Sequence, residues 1–226
     1  MKILKIKASC FMFGALSALS GCGGGGGGSD PAAFPIDAAV SSFYSSSRTF
    51  AVTNEDTPTR FTLEYSLTPA ADGTFEGANA KTLLYTAVLK ENGAPIENAG
   101  GTDYFQVNPY RYLGSLYNDN TYEVAANQKT LPARATIGQS GDFYTSTTYT
   151  DNSKAAIEDT TIARWSLERD PSSRSRAYFC VNQSVTLTIP DDLRTISSCF
   201  RIDDNGAVLG YKLSYIYADG TSITFD

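Results

Sequence analysis

"SCFRIDDNGAVLGYKLSYIYADGTSITF" (Ser198–Phe225) decides the fold class. Asn205-Gly206 reads as a two-residue hairpin turn, because both residues tolerate the positive φ that such a turn requires. That turn sets Ile202 against Leu209, Phe200 against Tyr211 and Ser198 against Leu213. Directly opposed residues share a face, so the pairing builds one apolar surface. The next turn has two readings. A two-residue loop at Asp219-Gly220 pairs Tyr215 with Thr224 and sends Phe225 to the opposite face. A three-residue loop, Ala218-Asp219-Gly220, pairs Tyr215 with Ile223 and Leu213 with Phe225. A one-residue slip moves every side chain to the other face. The apolar pattern therefore selects the three-residue loop, with Gly220 in the left-handed region. A three-stranded meander over Ser198–Phe225 follows.

The same texture extends back to Arg48. "RFTLEYSL" (Arg60–Leu67) alternates, with Phe61, Leu63, Tyr65 and Leu67 on one face. "KTLLYTAVLKENG", "TDYFQVNPYRYLG", "GDFYTSTTYT", "TTIARWSLER" and "RAYFCVN" read as further strands. Turn sequences such as "ADG", "ENG" and "DPSS" separate them. The 14 Tyr and 12 Phe suit pleated, half-buried surfaces. The expected fold is all-β, an antiparallel β-sandwich or partly open β-barrel with a C-terminal meander. Its single β domain is expected to span 48–226, long enough for one sizeable core.

Composition excludes several chemistries. The chain has no histidine, which removes Ser-His-Asp and Cys-His catalysis in their usual forms and the commonest zinc and copper ligand. No catalytic residue, metal or other cofactor is expected. Paired carboxylates are the remaining catalytic option, but Glu64, Glu123 and Glu168 share no spacing that links them. "NDNTYE" (Asn118–Glu123) and "DDNG" (Asp203–Gly206) are acidic, yet neither has the spacing of a calcium loop.

The first 22 residues carry a different signal. "MKILKIK" holds three lysines and no acid, and "ASCFMFGALSALS" is apolar but too short to span a bilayer. A basic start, a short apolar stretch and small residues at the exit describe a secretory signal peptide over 1–21. The exit, Leu19-Ser20-Gly21-Cys22, resembles the lipobox of bacterial lipoproteins. The resemblance covers residues 1–22 only. It implies that the Cys22 thiol receives a diacylglycerol, that cleavage falls before Cys22, and that the new amine is acylated. Two or more acyl chains hold a protein firmly on a membrane. Gly23 after the cysteine, rather than Asp, resembles the family's pattern for the outer membrane, on its periplasmic face or at the cell surface.

Gly23–Gly28 and Ser29 then form a flexible tether, expected over 22–47. Its reach is about 25–30 Å. Within it, "IDAAVSSFYSSS" can form a short helix capped by Asp37, with Val40, Phe43 and Tyr44 on one side. Loss of the three signal lysines takes the formal charge from −6 to −9, which argues against nucleic acid as a partner.

Cys180 and Cys199 are the remaining thiols, and in an oxidising envelope they are expected to be joined. If "PDDLR" (Pro190–Arg194) closes a hairpin, Cys180 lies opposite Asp204 rather than Cys199. The bridge is therefore expected to staple the base of a long excursion, Val181–Ser198. "DYFQVNPYRY" supplies the most suggestive surface: Tyr104, Tyr110 and Tyr112 share one parity, and Tyr122 lies in a nearby strand. Exposed tyrosines favour protein or glycan contact, unless the sheet is covered on both faces. Arg164, Arg169, Arg174 and Arg176 gather round a turn and can meet lipid phosphates, although Glu168 and Asp170 balance them.

These features describe a lipid-anchored, non-enzymatic binding module of a cell envelope, with an envelope protein or glycan as partner. The alternatives are a carrier of lipid or another apolar ligand in a half-open barrel, and a carboxylate-based hydrolase.

Overall fold

A computed structural model describes residues 33–54, 59–187 and 193–226. The expected signal peptide, Cys22 and the glycine run lie outside the described residues. In chain order the elements are β1 (Ala33–Phe34), α1 (Ile36–Tyr44), β2 (Arg48–Asn54), β3 (Phe61–Phe75), β4 (Ala78–Glu91), β5 (Ala94–Gln106), β6 (Arg111–Tyr117) and β7 (Tyr122–Ala126). They continue as β8 (Ala135–Thr136), β9 (Ser140–Tyr149), β10 (Ile157–Arg169), β11 (Arg176–Leu187), β12 (Leu193–Asp203), β13 (Val208–Tyr217) and β14 (Ser222–Phe225).

Apart from β1 and β8, which pair with each other, every strand joins one antiparallel sheet of 12 strands, each bonded to its neighbour in sequence. The right-handed twist of strands curls such a sheet. Here the two edges meet: Thr53 and Asp226 exchange backbone hydrogen bonds of 3.3 Å, and Asn54 Nδ2 donates to the Thr224 carbonyl at 2.7 Å. The result is a nearly closed up-and-down barrel. Leu63, Tyr65 and Leu67 turn inward and are buried, while Thr62, Glu64 and Ser66 turn outward. An apolar interior and a polar outer face reverse the pattern of a membrane-spanning barrel.

The C-terminal meander forms with the expected faces. Phe200 opposes Tyr211, Ser198 opposes Leu213, Tyr215 opposes Ile223 and Leu213 opposes Phe225. The last loop is Ala218-Asp219-Gly220, with Gly220 at φ +84°. The loop before it differs from expectation. It is three residues, Asp204-Asn205-Gly206, closed by a bond of 3.1 Å from the Asp203 N–H to the Ala207 carbonyl. The Asp203 carboxylate accepts the N–H groups of Asn205 and Ala207 and stabilises this wider turn. A bulge then sets Ile202 against Val208 and turns Leu209 out to solvent, which restores the register from Arg201 onward.

Cys180 and Cys199 are bonded, but not as the staple of an excursion. They are direct cross-strand partners in the β11–β12 hairpin. β11 runs unbroken through Asn182, Gln183 and Ser184 to Leu187, and β12 begins at Leu193, inside the expected turn. Gln183 points inward and donates to the Tyr144 hydroxyl at 2.9 Å. Because Leu193 and Arg194 lie in β12, the hairpin centre falls upstream of "PDDLR" and the cysteines come level.

The tether expected to reach Ser47 gives way to packed structure no later than Ala33. Phe34, Ile36, Ala39, Val40 and Phe43 are all buried. Phe43 meets Phe50 of β2 and Phe200 of β12, and Tyr44 meets Phe105 of β5. Those strands stand well apart round the wall, so α1 sits inside the barrel mouth. Asp37 does not cap the helix; Pro35 holds that position, and Asp37 accepts a long bond of 3.5 Å from the Tyr110 N–H. The Arg134 guanidinium donates to the Ala33 carbonyl and pins the entering chain. Nine residues are too few for a stable isolated helix, so the wall around α1 holds it. Phe43→Ala should therefore destabilise the whole barrel by about 3–5 kcal/mol, measured as a lowered urea midpoint with one cooperative transition.

Candidate functional site

The four tyrosines of the expected stripe separate into two pairs. Tyr110 and Tyr112 are 2% and 8% exposed and point into the barrel. Tyr110 packs on Tyr44, Phe105 and Phe143. Tyr112 packs on Tyr144. They are therefore not surface residues. For Tyr112 the cause is a bulge between β5 and β6, where Tyr104 opposes Gly114 but Phe105 opposes Tyr112, leaving Leu113 unmatched; Tyr110 turns inward from the turn that precedes β6. The extra residue flips the parity of everything before it on β6.

Tyr104 and Tyr122 do face outward, yet the chain itself covers them. Phe75, at the end of β3, stacks on Tyr104 at 4.6 Å and on Tyr122 at 5.1 Å. Gly114 makes this possible, since a Cβ there would stand 2.7 Å from the Phe75 ring and 2.1 Å from the Glu123 carbonyl oxygen. The turn residue Glu76 accepts a hydrogen bond of 2.7 Å from Tyr122 and pairs with Lys154 of the β9–β10 loop. Hydrogen bonds from Lys154 and Tyr122 hold the Glu76 carboxyl below its ordinary range. A bulge at Ala71-Asp72 lets the hairpin bend, with Thr82 donating to the Ala71 carbonyl at 2.6 Å. The tip of the β3–β4 hairpin thus lies across the outer face of β5, β6 and β7.

An outer row, exposed at its ends and covered by the tip at Tyr122, crosses this wall. Leu84, Thr102, Leu116, Tyr122, Tyr149 and Ile157 are direct partners in successive strands from β4 to β10. At the usual strand spacing the row is roughly 24 Å long. Leu84 and Ile157 are 47% and 49% exposed at its ends.

The inner face holds a row that sequence reading missed. Asp103, Ser115, Glu123, Thr148 and Asp159 are successive partners across β5, β6, β7, β9 and β10. Acid alternates with hydroxyl. Ser115 Oγ donates to Asp103 at 2.5 Å, Tyr112 and Tyr117 donate to Glu123 at 3.1 and 2.5 Å, and Thr148 donates to Asp159 at 2.8 Å. Burial pushes Asp103 up to about 7, against the Ser115 bond and aided by the charge of Glu123. Burial also raises Glu123, with hydrogen bonds from Ser146, Tyr117 and Tyr112 opposing and Asp159 adding. Burial and the neighbouring acids raise Tyr112 as well.

The other candidates are dispersed. Glu64 pairs with Lys90 and Glu168 accepts from Ser166, both on the outside, so neither meets Glu123. Both acidic turn sequences bind their own backbone, through Asp119 and Asp203. Among the described residues no three His, Cys, Asp or Glu side chains are grouped to hold a metal ion. Arg164 pairs with Asp142, and Asp170 takes Arg201 at 2.7 Å rather than an arginine of its own run. Burial works to raise Asp170, but hydrogen bonds from Arg201 and Ser172 outweigh it and hold the carboxyl at about 2. A shallow recess of about 220 Å³ lies at the barrel seam among Phe50, Ala51, Tyr178, Arg201, Gly210 and Asp226.

No protein-family model, curated protein or solved structure matches the chain. Phe75→Ala should open Tyr104 and Tyr122 to nitration by tetranitromethane while Tyr110 and Tyr112 stay protected. Peptide mass spectrometry reads all four sites, and unchanged protection of the first pair would show that the hairpin tip does not cover them.

Proposed function

We propose that this protein is a lipid-anchored binding module of the bacterial cell envelope, held at the outer membrane through Cys22 and without catalytic activity. The observation that carries the reading is Leu19-Ser20-Gly21-Cys22 followed by six glycines. Acyl chains fix the cysteine in the bilayer, and the glycine run lets a water-facing domain stand off from it. The polar outer wall supports this arrangement, because such a barrel gains nothing by entering lipid. With Tyr110 and Tyr112 inside, the contact face moves to the outer row from Leu84 to Ile157, whose apolar and aromatic side chains suit an envelope protein or a glycan.

The carrier reading is weaker. α1 and the aromatic side chains of the wall occupy the interior where an apolar ligand would lie. The hydrolase reading loses its expected carboxylate set, since Glu64 and Glu168 stand on the outside.

Cys22→Ser should move the protein from the membrane to the soluble fraction of its native host and abolish incorporation of labelled palmitate. Continued membrane fractionation without label would remove the anchor from the proposal. Leu116→Glu with Ile157→Glu should leave fractionation unchanged and reduce cross-linking to a partner at least tenfold.

A further inference from the structure

Four oxygen–oxygen contacts run through the inner wall. Asp103 Oδ1 lies 2.5 Å from Ser115 Oγ, which lies 2.5 Å from the Tyr112 hydroxyl. That hydroxyl lies 3.1 Å from Glu123 Oε2, and the Tyr117 hydroxyl lies 2.5 Å from the same oxygen. The three contacts of 2.5 Å require a hydrogen between their oxygens, and the fourth, 3.1 Å from a buried carboxylate oxygen, is repulsive without one. Ser115, Tyr112 and Tyr117 bring one hydrogen each, and an ionised carboxylate brings none. Three hydrogens cannot fill four contacts. If Ser115 donates to Asp103 and Tyr112 to Glu123, the Ser115–Tyr112 contact is left with facing lone pairs.

We propose that Asp103 and Glu123 share one proton through Ser115 and Tyr112, and that this proton is a pH-sensitive latch joining β5, β6 and β7. Two placements satisfy every contact. With the proton on Asp103, Asp103 donates to Ser115, Ser115 to Tyr112 and Tyr112 to Glu123. With it on Glu123, each of these three bonds reverses. Tyr117 donates to Glu123 in both, and the net charge of the pair stays at minus one. Asp103 is only partly buried and supplies the route to solvent.

The groups facing the relay are Tyr85 on β4, Tyr144 on β9 and Asp159 on β10. Asp159 opposes a second negative charge. The sign follows. Asp103 is raised from the ordinary carboxyl range to about 7 in the folded chain. The latch is complete at acid pH, and stability falls as pH rises from about 4 through about 7.

Infrared titration between pH 5 and pH 9 tests this, with thermal denaturation at each pH. The wild-type chain should show one protonated carboxyl band at pH 6 that disappears by pH 9, with a falling melting temperature. Asp103→Asn can supply the fourth hydrogen from its amide, so it should lack the band and lose most of the pH dependence. Tyr112→Phe leaves two contacts for two hydroxyls and should lower the midpoint by about one pH unit, the size of one net hydrogen bond. This variant serves if Asp103→Asn does not fold. A wild-type chain without the band at pH 6, or a band and midpoint unchanged in the variants that fold, would overturn the shared proton.

Discussion

Closure of the sheet is the constraint on which the rest depends. A row of twelve strands leaves two edges, and an open edge invites pairing with another chain. Here the edges meet through one reciprocal backbone pair, Thr53 with Asp226, reinforced by Asn54 on the Thr224 carbonyl. Closure fixes the interior volume. Eight strands enclose a space that side chains alone can fill; twelve enclose more. The additional space at one mouth is taken by α1, whose apolar face packs on β2, β5 and β12 together. The helix and the barrel therefore require each other: the helix is too short to persist alone, and the wall needs something to pack against.

The parts legible in sequence were those governed by strict alternation. Leu63, Tyr65 and Leu67 face inward as their spacing indicates, and four of the five cross-strand pairs of the C-terminal meander form in the expected register. The parts that were not legible are those where a single residue breaks the count. Leu113 on β6 and Leu209 on β13 are bulged, and nothing in their chemistry marks them. The first bulge carried Tyr112 from the surface to the interior. The cysteine pairing failed because "PDDLR" reads as the turn, whereas Leu193 and Arg194 already belong to β12, so the hairpin centre lies earlier and the cysteines come level.

Coverage was less legible still. The hairpin tip reaches Tyr104 and Tyr122 from residues about 30–45 positions earlier, and only the missing side chain at Gly114 leaves room for Phe75. No local pattern encodes that approach. The inner acid row was hidden differently. Asp103, Glu123 and Asp159 are far apart in sequence, and each sits among residues that read as ordinary strand or turn. Register alone brings them level.

The two faces of one stretch of wall now carry opposite chemistry. Outside β5, β6 and β7, aromatic rings and the exposed Leu116 make an apolar surface that continues to Ile157 on β10. Inside the same strands, a row of carboxyls and hydroxyls sits beside the aromatic packing of Phe105 and Tyr112. Buried polar groups cost stability unless each is matched, so a polar row is a poor way to fill a core that leucine would fill as well. Its position behind the outer row gives it a physical consequence. Any change in the inner hydrogen bonds alters the spacing of three strands, and those strands carry Thr102, Leu116 and Tyr122 on their outer side. In the proposed latch, a protonation change inside the wall would act through one layer of backbone on the geometry of the proposed contact face.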